Sequence, residues 1–215
     1  MERTFTPHIK TIGQINGVVG IEEISNEPMF FSCSVKHITR AHKSTAPLTN
    51  RILDELNILN VLTDDLVIDT RVTMLMPGTY PSIPGWHCDD FPRSFDTGQP
   101  DLKSKDKTRH IMCLLSTTEG ISGTKFITNQ VTLDLDVNNV WHDLHEKIEN
   151  FSTPNKIRQA KEGELILFNQ EATHTAVPAT KAGWRLFFRA SKTHRRVMNQ
   201  IRNQVQVYVP HNGGW

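Results

Sequence analysis

Hydrophobic and polar residues alternate along several short stretches of the chain, in the period-two pattern typical of half-buried β-strands. The clearest alternation runs from Val131 to Val137, where an apolar side chain occupies every second position. Strands are predicted over residues 18–21, 29–31, 67–76, 110–115, 124–127, 131–137, 163–168, 184–190 and 205–209, with a further strand containing His174. Many short strands and few helices favour a mainly β core, and two facing sheets of the jelly-roll kind suit this pattern.

Two segments have apolar residues at helical spacing instead. Four apolar side chains recur at this spacing over residues 48–59, and Pro47 suits the first turn of a helix. This element is interpreted as a helix packed on the outside of a sheet. A second helix is predicted over residues 140–151. It contains His142, His145 and Glu146, for which a solvated face is a better interpretation than a metal site.

Length and composition indicate one globular domain. The chain has 215 residues, of which 37% are hydrophobic and 22% are charged. We see no internal repeat and no linker. The expected organisation is a single domain over residues 1–215, with a core at about 67–209 and flanking elements over 1–66.

The cysteine count and the absence of long apolar runs predict a soluble, cytoplasmic protein. Cys33, Cys88 and Cys113 have no regular spacing and are expected to be free thiols in a reducing compartment. No apolar run is long enough to span a bilayer, and the N-terminus lacks the apolar core of a signal peptide. We therefore expect no membrane association, and the sequence does not indicate an oligomeric state.

The most informative local pattern is His87-Cys88-Asp89. On a strand, residues two positions apart point to the same face, so one imidazole and one carboxylate would project side by side. His174 is the best candidate for a third ligand, with His110 and His194 as rivals. Two imidazoles and one carboxylate on one side of an ion form the facial arrangement of non-haem Fe(II) oxygenases.

Two arginines follow His174 along the chain. A turn at residues 181–183 would fold the next strand back beside the strand containing His174. Arg185 and Arg189 are four positions apart, so they share a face on an unbroken strand. Both guanidinium groups are therefore expected to reach the metal cavity.

The order His87-x-Asp89, His174, Arg185 resembles the 2-oxoglutarate and Fe(II)-dependent dioxygenase superfamily, over residues 67–191. Arg189 is similar to a second arginine of the taurine dioxygenase branch. The resemblance implies a double-stranded β-helix (a jelly-roll, cupin-like core) with a few flanking helices. It also implies that His87, Asp89 and His174 bind Fe(II).

The same resemblance implies a reaction and its cosubstrates. Fe(II) would bind 2-oxoglutarate and O2, and the substrate would be hydroxylated with release of succinate and CO2. A guanidinium can bind a carboxylate through two parallel hydrogen bonds, so Arg185 is the expected partner of the far carboxylate of 2-oxoglutarate. Arg189 is the second choice for that carboxylate, or it binds the C1 carboxylate.

Other functions remain open at this point. One is a cupin-like metal-dependent isomerase, epimerase or 2-oxoglutarate-independent dioxygenase, which would not need the two arginines. Another is a non-enzymatic barrel that acts as a binding module. Residues 91–108 form either a lid or a solvated surface loop.

The C-terminal segment is strongly basic, although the net charge of the chain is only +1. No acidic residue follows Glu171, whereas seven lysines and arginines do. This charge would suit a small-molecule or nucleotide-like anionic substrate, or nucleic acid. Pairing with acidic groups elsewhere in the protein is the preferred interpretation over nucleic-acid binding.

Overall fold

The computed structural model describes residues 1–105, 107–121, 123–150, 156–205 and 207–209. Over these residues the protein is mainly β, with antiparallel sheets and four helices. The strands are β1 (Glu2–Phe5), β2 (Ile9–Gln14), β3 (Met29–Phe31), β4 (Cys33–Ser34), β5 (Val67–Leu75), β6 (Arg109–Ser116), β7 (Thr124–Ile127), β8 (Val131–Asp134), β9 (Ile157–Gln159), β10 (Glu164–Asn169), β11 (His174–Ala176), β12 (Gly183–Lys192) and β13 (Gln200–Arg202). The helices are α1 (Ile21–Ser25), α2 (Val35–Ala41), α3 (Pro47–Ile58) and α4 (Val140–Glu149).

The largest sheet has six strands in the order β2-β10-β6-β12-β5-β4. Strand β12 lies in its middle and pairs with β5 on one side and β6 on the other. Because side chains alternate between the two faces of a strand, Leu186, Phe188 and Ala190 point to one face while Arg185 and Arg189 point to the other. The first face is covered by helices, and the second faces a cavity.

The helices of the N-terminal segment cover the apolar face of this sheet. Ile24, Ile38 and Ile52 are fully buried there, one from each of α1, α2 and α3. A buried carboxylate caps the first turn of α3. Glu27 accepts hydrogen bonds from the backbone N–H groups of Leu48 and Thr49 at 3.1 and 2.8 Å. A carboxylate at this position satisfies free N–H groups and complements the helix dipole.

A second layer covers the face of the six-stranded sheet to which Arg185 and Arg189 point. It contains a three-stranded sheet in the order β11-β7-β9, and Phe126 from β7 packs against Met112 and Phe168 of the larger sheet. The opposite side of this layer packs against α4 and the β1-β8 pair. The two layers thus enclose one apolar cluster, and the candidate site lies beside it.

Most predicted elements are present. The two predicted helices correspond to α3, with Pro47 in its first turn, and to α4, which ends at Glu149. Residue 151 lies outside the described residues. None of the helices in the described ranges is both long and apolar enough to cross a membrane.

Two of the predicted strands are wrong. Over 18–21, Val18 forms only an isolated bridge with Ser116, and the chain then enters α1 at Ile21. Over 205–209, the described residues form only a bridge between Tyr208 and Tyr80, and residue 206 lies outside them. Alternation of apolar side chains does not make a strand where no neighbouring strand offers hydrogen-bond partners along its length.

The predicted pairing of the last two strands is also wrong. Strand β12 does not lie beside β11, because β11 pairs with β7 whereas β12 pairs with β5 and β6. The segment between β11 and β12 passes from one layer to the other instead of forming a hairpin. His174 and Arg185 therefore reach the same cavity from opposite layers.

Candidate metal centre

Three side chains converge between the two layers. The backbones of His87 and His174 form an antiparallel bridge, with N–H to O distances of 3.0 and 2.9 Å, which sets the two imidazoles side by side. Their ring centroids are 4.6 Å apart. The Asp89 Oδ2 atom lies 3.5 Å from His174 Nε2. One donor atom from each of the three residues lies within 4.8 Å of the others, so the group can hold a metal ion.

The local backbone differs from the expected strand. Only His87 is bridged to another segment, and Asp89 lies in a bend followed by Asp90 at φ 54°. Gly85 has φ 114°, a conformation that side chains disfavour, and its carbonyl oxygen lies 2.9 Å from His87 Nδ1. Strand alternation therefore does not explain how Asp89 comes to face the histidines.

Backbone carbonyls orient both imidazoles. The Gly85 carbonyl accepts from His87 Nδ1, and the Ala172 carbonyl accepts from His174 Nδ1, each at 2.9 Å. A carbonyl can only accept, so both Nδ1 atoms have the proton and both Nε2 lone pairs are free. Burial is the main reason that the pKa of His87 falls to about 4. The imidazole is therefore neutral near pH 7, which is the form that binds metals.

The carboxylate of Asp89 is held by an ion-pair network. Arg189 donates to Asp89 Oδ2 at 2.6 Å and to Asp69 Oδ2 at 3.1 Å. Arg195 donates to the same Asp69 oxygen at 2.7 Å and to Asp90 Oδ2 at 2.9 Å. Two guanidinium groups thus link three carboxylates beside the candidate metal centre.

This network keeps its carboxylates ionised. Burial raises the pKa of Asp89, but the charge of Arg189 and the contact with His174 together outweigh burial and hold the pKa well below its usual range. Burial likewise raises the pKa of Asp69, and Arg189 and Arg195 together lower it to about 2. Arg189 was predicted to bind 2-oxoglutarate; in the structure its guanidinium is engaged by these two aspartates.

Arg185 is in a different situation. It is 4% exposed, and none of its side-chain nitrogens bonds with a residue in the described part of the chain. Its Nε atom is buried without a partner. Burial lowers the pKa of this guanidinium to about 10, and Glu162 opposes this only in part. A buried cation without a counter-ion is unfavourable, so Arg185 is suited to binding an anion from solution.

The triad and Arg185 open into one cavity of about 260 Å³. Its lining includes residues from both layers and from the C-terminal segment. They are Phe31, Asp69, Thr70, Arg71, Pro81, Ser82, His87, Asp89, Met112, Thr124, Phe168, His174, Ala176, Arg185, Phe187, Arg189, Arg195 and Arg202. None of the described residues of the 91–108 segment is among them.

The rival histidines are elsewhere. His110 is fully buried, and its two ring nitrogens contact the hydroxyls of Ser191 and Thr108 at 2.9 and 3.2 Å. His194 is exposed and does not line the cavity. Cys88 points away from the centre, and its Sγ lies 3.4 Å from Thr173 Oγ1. Over the described ranges, no second group of His, Cys, Asp and Glu side chains has donor atoms close enough to hold an ion.

Several residues of the cavity were not singled out from the sequence, among them Asp69, Arg71 and Phe31. Asp69 and Arg71 are charged residues at alternate positions of a strand that is otherwise rich in apolar side chains, and this pattern marks a face directed at a polar site. Phe31 had no such signal, and Arg202 was noted only as part of the basic C-terminal segment. Both reach the cavity through the pairing of β3 with β13. Elsewhere in the basic segment, Lys192 pairs with Asp65 at 2.8 Å.

No protein-family model matches this sequence. No curated protein matches it either. Among solved structures, the chain is similar to iron-bound HygX from Streptomyces hygroscopicus, with a TM-score of 0.44 and 12% identity over 87% of this chain and 81% of that one. It is also similar to an N-substituted L-amino acid dioxygenase from Burkholderia ambifaria, with a TM-score of 0.39 and 16% identity over 80% and 72% of the two chains.

A third similar structure is EvdO2 from Micromonospora carbonacea in complex with 2-oxoglutarate. Its TM-score is 0.38, with 10% identity over 82% of this chain and 72% of that one. The similarity thus extends over most of each chain, at low identity.

Proposed function

We propose that this protein is an Fe(II)- and 2-oxoglutarate-dependent oxygenase that hydroxylates its substrate and releases succinate and CO2. The strongest support is the buried guanidinium of Arg185, which has no ionic partner among the described residues. It lines the same cavity as the triad of His87, Asp89 and His174. On this proposal the two facing antiparallel layers form a double-stranded β-helix.

The donor set fits Fe(II). Two neutral imidazole nitrogens and one carboxylate oxygen form the facial triad of non-haem iron oxygenases, which leaves further coordination positions for small ligands. The hydrogen bonds from His87 Nδ1 and His174 Nδ1 to backbone carbonyls hold the imidazoles in the orientation that metal binding requires. Phe126 and Phe168 pack against the His174 ring, with centroids 5.5 and 5.6 Å away, and restrict its rotation.

Iron and 2-oxoglutarate together would supply oxidation of a substrate C–H bond by O2, with 2-oxoglutarate converted to succinate and CO2. Arg185 would bind the far carboxylate of this cosubstrate through two parallel N–H donors. The anion would offset the cost of burying the guanidinium charge. Arg189 has a separate role, because it donates to Asp89 and so positions the carboxylate ligand.

The cavity wall is also suited to a reaction that must be kept away from water. Met112, Phe168 and Phe187 contribute apolar surface next to the triad. Such a wall strengthens the ionic contacts of Arg185 and protects reactive species from side reactions. A cupin-like isomerase or epimerase would use the metal but would leave the unpaired Arg185 without a purpose.

The proposal is tested by supplying Fe(II), ascorbate and 2-oxoglutarate and measuring succinate by mass spectrometry, together with bound iron. His87→Ala, Asp89→Ala and His174→Ala should each lose iron and succinate formation while circular dichroism stays unchanged. His194→Ala is the matched control, because this rival histidine is exposed and outside the cavity. Full iron content in His174→Ala, or absence of both iron and succinate in the parent protein, would refute the assignment.

A further inference from the structure

The cavity contains more positive charge than its aspartates can neutralise. Five arginines line it, namely Arg71, Arg185, Arg189, Arg195 and Arg202. Arg189 and Arg195 are paired with the three aspartates of the network described above. Five guanidinium charges against three carboxylates leave an excess of two. A divalent metal ion and the dianion 2-oxoglutarate would cancel each other, so the excess would remain.

Arg71 is one source of this excess. It lies in the middle of β5, opposite Phe187 of β12, between the positions opposite Arg185 and Arg189. It is half-buried and forms no ion pair or hydrogen bond through its side chain with a residue of the described ranges. Burial first, and the charge of Arg202 second, hold the pKa of Arg71 below its usual value. The negative charge of a bound anion would offset both causes.

Arg202 is the other source. Its guanidinium carbon lies 4.0 Å from the centroid of the Phe31 ring, so the planar group is stacked on an aromatic face. Strand β13 holds Arg202 here by pairing with β3, and the N–H of Phe30 in β3 donates to Thr70 Oγ1 in β5 at 2.7 Å. Stacking leaves the N–H edge of the guanidinium free, and Arg202 has no acidic partner among the described residues.

We propose that Arg71 and Arg202 form an oxyanion subsite, and that the substrate of this protein is a small molecule with a carboxylate, sulfonate or phosphate group. The identification of this ligand as a substrate rests on the proposed oxygenase function. Phe31 braces the subsite, and the triad lies in the same cavity, so the anionic group would anchor one end of the molecule while another part faces the metal. The cavity of about 260 Å³ suits a small molecule better than a polymer.

The test uses protein loaded with Mn(II) and saturating 2-oxoglutarate, so that Arg185 is occupied and no turnover takes place. Isothermal titration calorimetry measures the binding of benzoate, phenyl phosphate and inorganic phosphate, with benzamide as the neutral control. Arg71→Gln and Arg202→Gln are compared with Arg196→Gln, which removes an equal charge from an exposed residue outside the cavity. The three probes show whether the subsite prefers a carboxylate or a phosphate.

At least one oxyanion probe should bind the parent, and benzamide should not. Each of the two cavity variants should weaken that probe by about tenfold or more, the expected effect of losing a hydrogen bond to a charged group. Arg196→Gln should bind as the parent does. The affinity for 2-oxoglutarate should stay unchanged in all three variants, and each variant should remain folded at the temperature of the titration.

Three results would overturn the subsite. In the first, the parent binds none of the oxyanion probes. In the second, both cavity variants bind the probes with the affinity of the parent. In the third, Arg196→Gln loses as much affinity for the probes as the cavity variants do. A weakened affinity for 2-oxoglutarate in Arg71→Gln would instead assign this arginine to the cosubstrate. If the parent binds neither Mn(II) nor 2-oxoglutarate but binds the probes through Arg71 and Arg202, the oxygenase proposal fails and the subsite stands.

Discussion

Replacing Arg185 with methionine should stabilise the ligand-free protein and remove most of its affinity for 2-oxoglutarate. The two effects have one cause, which is a buried guanidinium with no anionic partner among the described residues. Methionine keeps an unbranched side chain for packing in the sheet and removes the charge. Replacing a residue that stabilises the fold would lower the free energy of unfolding. Residues of binding sites often reduce stability in exchange for function, so their replacement can raise it.

The size of both effects follows from the structure. Burial lowers the pKa of Arg185 to about 10, well below the ordinary value of arginine. At about 1.4 kcal/mol per pKa unit, keeping the charged form buried costs roughly 3 kcal/mol. Some stem contacts are lost in the variant, so the free energy of unfolding should rise by about 1–3 kcal/mol. Losing a bidentate contact to a carboxylate should cost about 2–4 kcal/mol, or roughly 30- to 1000-fold in affinity.

Urea unfolding of the ligand-free protein measures the first effect, and calorimetric titration of 2-oxoglutarate with Mn(II) present measures the second. Arg185→Lys is the matched control, because it keeps a positive charge but loses the planar pair of donors. This control should gain little stability and should still bind 2-oxoglutarate weakly. The reasoning would be refuted if the methionine variant unfolded at a lower urea concentration than the parent and bound 2-oxoglutarate with the affinity of the parent.

Two further predictions concern the ion-pair network. Arg189→Gln should lower the free energy of unfolding by about 3 kcal/mol, because Asp89 loses its buried counter-ion. Lys192→Gln breaks only the exposed ion pair with Asp65 and should change the free energy of unfolding little. Urea unfolding measures both variants. Asp69 has a pKa of about 2 when folded and near 4 when unfolded, so it contributes about 2 kcal/mol above about pH 4 that is lost as the pH falls towards 2. Asp69→Asn should therefore flatten the decline in stability over this range, and parallel curves for variant and parent would contradict the lowered pKa.

Local patterns in the sequence were sufficient for several elements. The apolar spacing over 48–59 and over 140–151 predicted α3 and α4, since a helix forms through contacts three and four residues apart. Alternation predicted β5 and β8, although β8 ends at Asp134 where its partner β1 begins at Glu2. Strand ends depend on the length of the neighbouring strand, which the local pattern does not contain.

The sequence alone determined which residues to consider for the metal centre, because ligand type and spacing are chemical properties of a short segment. His87, Asp89, His174 and Arg185 were all identified in this way, and the structure places all four around one cavity. Only the tertiary structure decided what surrounds them. The pairing of Arg189 with Asp89 and Asp69 joins segments 100 and 120 residues apart in sequence. Such contacts depend on strand register and on how two sheets face each other, and both result from packing of the whole core.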